Sequence, residues 1–201
     1  MVKQPSVYSY DQIIDAAFEL TRELSWQGVT ARAIAKKLGS STMPIYSHLK
    51  SVEELGEVLQ EKANNLLREY QQRPYTEHTL LNLAFGYVVF ARDEKQLFRF
   101  LYLDHPRKLG LNTKSEVKDA FFSEFSAESD AGKALLELKE SGQETLIQYT
   151  WIFTHGLAML VNSGAPGSNS DQVILEYLKN AGEAFYLWGT GKKDRSDEQD
   201  G

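Results

Sequence analysis

Apolar residues recur at helical spacing along most of this chain, and few segments alternate with the period of two that a half-buried strand needs. Over 10–26, Ile13, Ile14, Ala17, Phe18, Leu20 and Leu24 largely follow i, i+3, i+4 spacing, with Asp11, Asp15 and Glu19 towards the start, where the helix dipole favours acids. Gly28 is expected to stop that helix. "ARAIAKKL" (31–38) predicts a short second helix, with Thr30 as its N-cap and Gly39 as its terminator. Ser41 is the expected cap of a third helix over 42–49, and Pro44 falls in its first turn, where a missing N–H costs least. Ser51 is the expected cap of a fourth helix, with Glu54 three residues on as in a capping box, running to about Gln71.

"QQRPYTE" (71–77) marks a boundary. Beyond it the pattern predicts helices at about 78–93 and 95–103, a loop over 104–113 and a helix at 114–126. After "SAESDAGK" comes a helix at about 134–141, which could either stop there or run on into 143–162. "NSGAPGSNSD" (162–171) is a break, the last helix occupies 171–188, and "GTGKKDRSDEQDG" reads as a solvated, disordered tail. The fold class is therefore all-α. The expected division is an N-terminal three-helix domain over 1–51, a connecting helix over 52–71, a larger helical domain over 72–190 and a tail over 191–201.

Composition changes this picture little. Of 201 residues 42% are apolar, with 10 Tyr, 10 Phe and 3 Trp, enough for a substantial core. The absence of cysteine excludes disulfides and thiolate metal sites and fits a reducing compartment. The polar opening "MVKQPSVYSYDQ" does not read as a secretory leader, so a cytoplasmic location is expected. The most apolar stretch, 146–161, would span only about 24 Å as a helix and contains Gln148 and His155, so no membrane span is expected.

Charge changes it more. The net charge of −6 argues at first against nucleic acid, but residues 1–50 carry six Lys/Arg against four acids, and 51–201 carry 16 against 24. Within 30–50 stand Arg32, Lys36, Lys37 and Lys50 and no acid. A local basic patch matters more to a phosphate backbone than the average does.

The helices at 30–38 and 42–49, joined by a glycine-led turn, have the spacing of a helix-turn-helix, whose second helix enters the DNA major groove. Ala35 is small where the helices must approach, and Gly39 supplies the turn's positive φ. Ile34, Leu38 and Ile45 pack inward, leaving Ser41, Thr42, Met43, Pro44, Ser47 and His48 for the groove. Tyr46 is placed on the flank, its phenol reaching a phosphate while its ring packs below. Thr30, Arg32 and Lys50 are further candidate backbone contacts. Pro44 offers an apolar surface to a thymine methyl.

Over residues 8–71 the chain closely resembles the DNA-binding domain of the TetR/AcrR family of bacterial transcriptional regulators. That family commonly reads T-x-x-x-I-A-x-x-x-G-x-S-x-x-x-L/I-Y-x-H-F, then K-x-x-L. Here Thr30, Ile34, Ala35, Gly39, Ser41, Ile45, Tyr46 and His48 stand in register, with Leu49 for the phenylalanine and Glu54-Leu55 beyond. Val52 stands where the family usually has lysine, and Ser40 where valine is frequent. "WIFTHGLAML" (151–160) resembles the Trp-His-Gly signature of one C-terminal subfamily through Trp151, His155 and Gly156. The resemblance implies a homodimer joined through the last two helices, 143–162 and 171–188, although these could equally pack within one chain. It also implies a small-molecule effector bound among the helices after the DNA-binding domain, and release of a palindromic operator as a repressor.

Phe85, Phe90, Phe98, Tyr102, Tyr149, Trp151 and His155 are the candidate effector-pocket residues, drawn from an aromatic set that also includes Tyr87, Phe100 and Phe153. Arg92 and Asp93 could orient a polar ligand or form a surface ion pair. Most of a stripe of this kind is ordinary core, and His155 reads first as a satisfied interfacial or core histidine beside a Gly156 that lets helices approach. No enzyme is expected. Ser47-x-x-Lys50 and Ser115-x-x-Lys118 lack the partner motifs of penicillin-binding proteins. Gly189-x-Gly191 follows no strand, so it does not read as a dinucleotide loop. His48, His78, His105 and His155 are scattered, so neither a metal nor a cofactor is expected. A second reading remains open at this point: a helical small-molecule carrier or protein-interaction module, supported by the acidic balance of 51–201.

Overall fold

A computed structural model describes residues 8–49, 51–104, 133, 136–165, 167 and 169–190. Within them the protein is all-α and contains no strand. Helices α1 (Tyr10–Leu24), α2 (Ala31–Leu38), α3 (Met43–His48), α4 (Val52–Gln71), α5 (Thr79–Asp93) and α6 (Lys95–Arg99) follow in order, then α7 (Glu140–Ser163) and α8 (Asp171–Gly189). The expected loop at 104–113 and helix at 114–126 lie almost entirely outside the described residues, as does the tail. Two compact units result: Met1–Glu69 with Asp93–Lys108, and Tyr70–Arg92 with Leu109–Gly201.

In the first unit, α1 begins with a reciprocal cap. Ser9 Oγ accepts from the Gln12 N–H at 3.2 Å, and the Gln12 side chain accepts from the Ser9 N–H at 2.9 Å. Its buried face holds Ile13, Ile14, Ala17, Phe18 and Leu20. The helix ends at Leu24, ahead of the stop expected at Gly28, because Ser25 takes a φ of 83°. Gly28 has a different role. It closes a short 3-10 turn, Trp26–Gly28, and a Cβ there would stand 2.8 Å from Leu24 Cβ.

The far end of α1 is tied to a segment distant in sequence. Arg22 Nε donates to Glu94 Oε2 at 2.9 Å and its Nη2 to Oε1 at 2.5 Å, a two-pronged pair on a carboxylate only 8% exposed. Trp26 stacks on Phe100 with centroids 5.1 Å apart. Phe100–Asp104 forms a π-helical turn rather than the regular helix expected through 103.

In the second unit, α5 is apolar nearly all round, with Phe85 to Ala91 all buried. A Cβ at Gly86 would fall 2.3 Å from the Tyr70 carbonyl oxygen, so α5 meets the end of α4 at backbone distance. The chain turns at 137–139 and α7 starts at Glu140, so the expected helix at 134–141 does not run on into it. Gly164, at φ 78°, ends α7, and Ser170 caps α8 through the Val173 N–H at 3.3 Å. The two helices are antiparallel: a Cβ at Gly142, near the start of α7, would meet the Gly189 carbonyl at the end of α8 at 2.5 Å. Asn162 ties α7 to α5 through the Ala91 carbonyl at 2.9 Å, and Arg92 pairs with Asp171 at 2.5 Å.

Candidate nucleic-acid interface

Thr30 caps α2 as expected, its hydroxyl accepting from the Ala33 N–H at 3.1 Å. Ile34 and Ala35 are buried, and Gly39 adopts the left-handed φ of 64° that returns the Gly39 and Ser40 N–H groups to the Lys36 and Ala35 carbonyls. Tyr8 adds a clasp by donating its hydroxyl to the Leu38 carbonyl. The cap of α3 differs from expectation: Thr42, not Ser41, occupies the N-cap position, in helical geometry and without a side-chain bond. Pro44 lies in the first turn. Ser51 does cap α4, accepting from the Glu54 N–H at 3.1 Å.

The rotation of α3 is set by Ile45, only 2% exposed. At about 100° per residue, Ile45 lies about 200° round from Met43, which therefore points outward, with Tyr46 about 60° to one side and Ser47 about 40° to the other. Exposure agrees: Met43 is 75% and Tyr46 70% exposed, the highest values among the exposed large apolar side chains. The Tyr46 ring thus does not pack below the helix as expected; it stands in solvent. Ser47 is exposed, but its hydroxyl donates to the Pro44 carbonyl at 2.8 Å. Thr30, Arg32 and Ser41 are exposed, Thr42, Pro44 and His48 half-buried, and Lys50 lies outside the described residues. Of the basic patch, Lys37 is paired with Glu23 at 2.8 Å. Arg32 and Lys36 make no ion pair with another described residue.

The seven candidate pocket residues are distributed over both units. Phe98 and Tyr102 belong to the first, ring against ring at 4.9 Å. In the second, Phe85 packs edge-on to the half-buried Tyr75, and Phe90 edge-on to the buried Tyr70. Trp151 stacks flat on His155 at 5.4 Å, and Tyr87 Oη shares a 2.9 Å hydrogen bond with His155 Nδ1. Burial lowers the His155 pKa, so the ring is neutral at pH 7. Tyr149, on the outer side of α7, contacts Phe185 and Trp188 of α8. The arrangement supports the ordinary-core reading of Phe85 and Phe90 and the satisfied-histidine reading of His155. Gly156 faces open space among the described residues, since none of their atoms lies within 4 Å of a Cβ built there.

Sequence reasoning missed the Arg22–Glu94 pair, and no local signal could have found it, because the partners are 72 residues apart. A second feature emerges from exposure alone. Ile152 and Leu160 on α7, and Tyr177, Leu187 and Trp188 on α8, are large apolar side chains left 43–59% exposed. Among the described residues no helix is long and apolar enough to cross a membrane, and no three metal-ligating side chains gather. No protein-family model matches the chain, and no curated protein matches it.

Proposed function

We propose that this protein is a sequence-specific DNA-binding regulator of transcription of the TetR/AcrR type: a cytoplasmic homodimer that represses from a palindromic operator and releases it on binding a small molecule. The observation that carries the reading is the outward face of α3. A six-residue helix is anchored by one buried side chain, Ile45, behind a left-handed glycine turn. It presents Met43 and Tyr46 to solvent in a stretch of sequence that also carries Arg32 and Lys36 and has no acid from 30 to 50. Arg32, Lys36 and Tyr46 are suited to phosphates, and the centre of the face to base edges.

The exposed apolar residues of α7 and α8 support self-association. Pairing with the same helices of a second copy buries them, and Gly156 leaves room for close approach. Two recognition helices about 34–36 Å apart then enter successive major grooves, which makes the operator a palindrome. Switching needs an effector that binds one arrangement better than the other. A tenfold loss of DNA affinity requires about 1.4 kcal/mol of coupling, and α4, which carries the chain from one unit into the other, is the lever. The effector site belongs to the aromatic helices after α4, and nothing in this mechanism calls for a metal, a cofactor or an enzymatic step.

Selection from random duplex DNA at two salt concentrations, with wild type and Tyr46→Ala in parallel, tests the reading. A palindromic consensus, weakened by the substitution and by salt, is the expected result. No enrichment by a folded sample sinks it in favour of a carrier or interaction module.

A further inference from the structure

The geometry points to Met43 as the specificity-determining residue of the DNA-reading face, making an apolar contact with the 5-methyl group of one thymine in each half-site. The inference rests on the proposed DNA-binding function and adds to it what the face reads.

Three observations carry it. Burial of Ile45 turns Met43 to the middle of the outward face, and at 75% exposure its thioether has almost no protein to rest on. An unbranched apolar side chain so placed gains nothing from folding, and its surface is removed from water only by a partner. The hydrogen-bonding capacity around it is also thin. The Ser47 hydroxyl is committed to the Pro44 carbonyl, and Tyr46 points to the flank, about 60° from Met43. A face with an apolar centre and few donors is poorly matched to guanine, whose major-groove edge presents only the N7 and O6 acceptors. It is well matched to thymine, whose methyl group is the apolar feature of that groove. Pro44, the residue from which sequence alone would expect this contact, is half-buried and lies about 100° away on the helix, so it borders the methyl site without facing it.

The test starts from the operator obtained by selection. Each thymine is replaced in turn by deoxyuridine, symmetrically in both half-sites, which deletes one methyl and leaves pairing and backbone intact. Dissociation constants are then measured for wild type, Met43→Ala and Met43→Leu. At one thymine position, wild type should lose about fourfold in affinity per half-site, the usual effect of leaving a methyl-sized group unburied. Met43→Ala should bind thymine and uracil duplexes alike, and Met43→Leu should restore the discrimination. Since Met43 is exposed, unchanged thermal unfolding of both variants is the expected control. If operator binding is intact but no methyl matters, or the methyl dependence survives in Met43→Ala, the inference is overturned while the DNA-binding function stands. If no duplex is selected at all, both fall.

Discussion

Large apolar side chains stand in solvent in both units, but in different company. On α3 there are two, Met43 and Tyr46, on a helix of six residues in a stretch of sequence that also carries Arg32 and Lys36. On α7 and α8 there are several, spread over helices of 24 and 19 residues. A small apolar spot beside cations suits a polyanion that also carries methyl groups. A long apolar face suits another protein surface of similar length, since burial stabilises in proportion to area. On the proposed reading the same kind of exposure therefore serves two kinds of partner, and the charge and length around it separate them.

Separating the two faces should produce the largest effect. Leu160→Glu places a charge on the α7 face without touching α3. On the proposed reading it yields folded monomers by sedimentation and lowers operator affinity by about two to four orders of magnitude, through loss of two-point attachment. Undiminished operator binding by a monomer would break the comparison.

Next is Arg22→Ala, which leaves the Glu94 carboxylate buried without its cation. The guanidinium is part-exposed, so the expected loss is about 2–4 kcal/mol in urea unfolding, at the lower end of what breaking a buried pair costs. That pair, chiefly through its hydrogen bonds, also raises the Arg22 pKa above its already high value. Glu94→Gln removes the buried charge and leaves the cation on the more exposed side, so it should retain more stability than Arg22→Ala.

The glycines give a smaller and opposed pair of effects. Gly86→Ala should destabilise by about 1–3 kcal/mol, because the new methyl overlaps the Tyr70 carbonyl and outweighs the gain in helix propensity. Gly156→Ala meets nothing among the described residues and should leave monomer stability unchanged or up to about 1 kcal/mol higher. On the proposed reading it weakens self-association, measured by dilution.

The smallest effect is a pH dependence. Burial holds the folded His155 pKa below its ordinary 6.5. As pH falls through that value the unfolded chain takes up a proton that the folded chain resists, so the stability of the neutral, Tyr87-bonded ring is lost on acidification. His155→Gln lacks this term. The stability difference between wild type and variant should narrow as pH drops below about 6.5 and be constant above about 8.

Much of the first unit was legible because its boundaries are written in local chemistry. Thr30, Gly39 and Ser51 act on residues three or four positions away, within reach of a sequence pattern. Ser25 and the π-helical turn were not legible. They accompany the contact of Trp26 with Phe100, which no local spacing encodes. The outward face of α3 was legible from Ile45, since one buried position fixes the rotation of so short a helix. What spacing could not give was how far Tyr46 stands from its neighbours, or that Ser47 spends its hydroxyl on Pro44. The pocket residues were least legible. Helices buried nearly all round, such as α5, have no polar side from which to tell a ring that lines a site from one that fills the core.

The Arg22–Glu94 clasp also sets a timetable. A chain made from its N-terminus has α1 to α4 in hand well before Glu94 and Phe100 exist, and at about 5–20 residues per second the wait is several seconds. During that interval Arg22 lacks its carboxylate and Trp26 its stacking partner. Within this unit the earlier-made helices are therefore completed only by the later-made segment, and a nascent chain stalled before residue 94 should present an unfinished first unit to any chaperone that meets it.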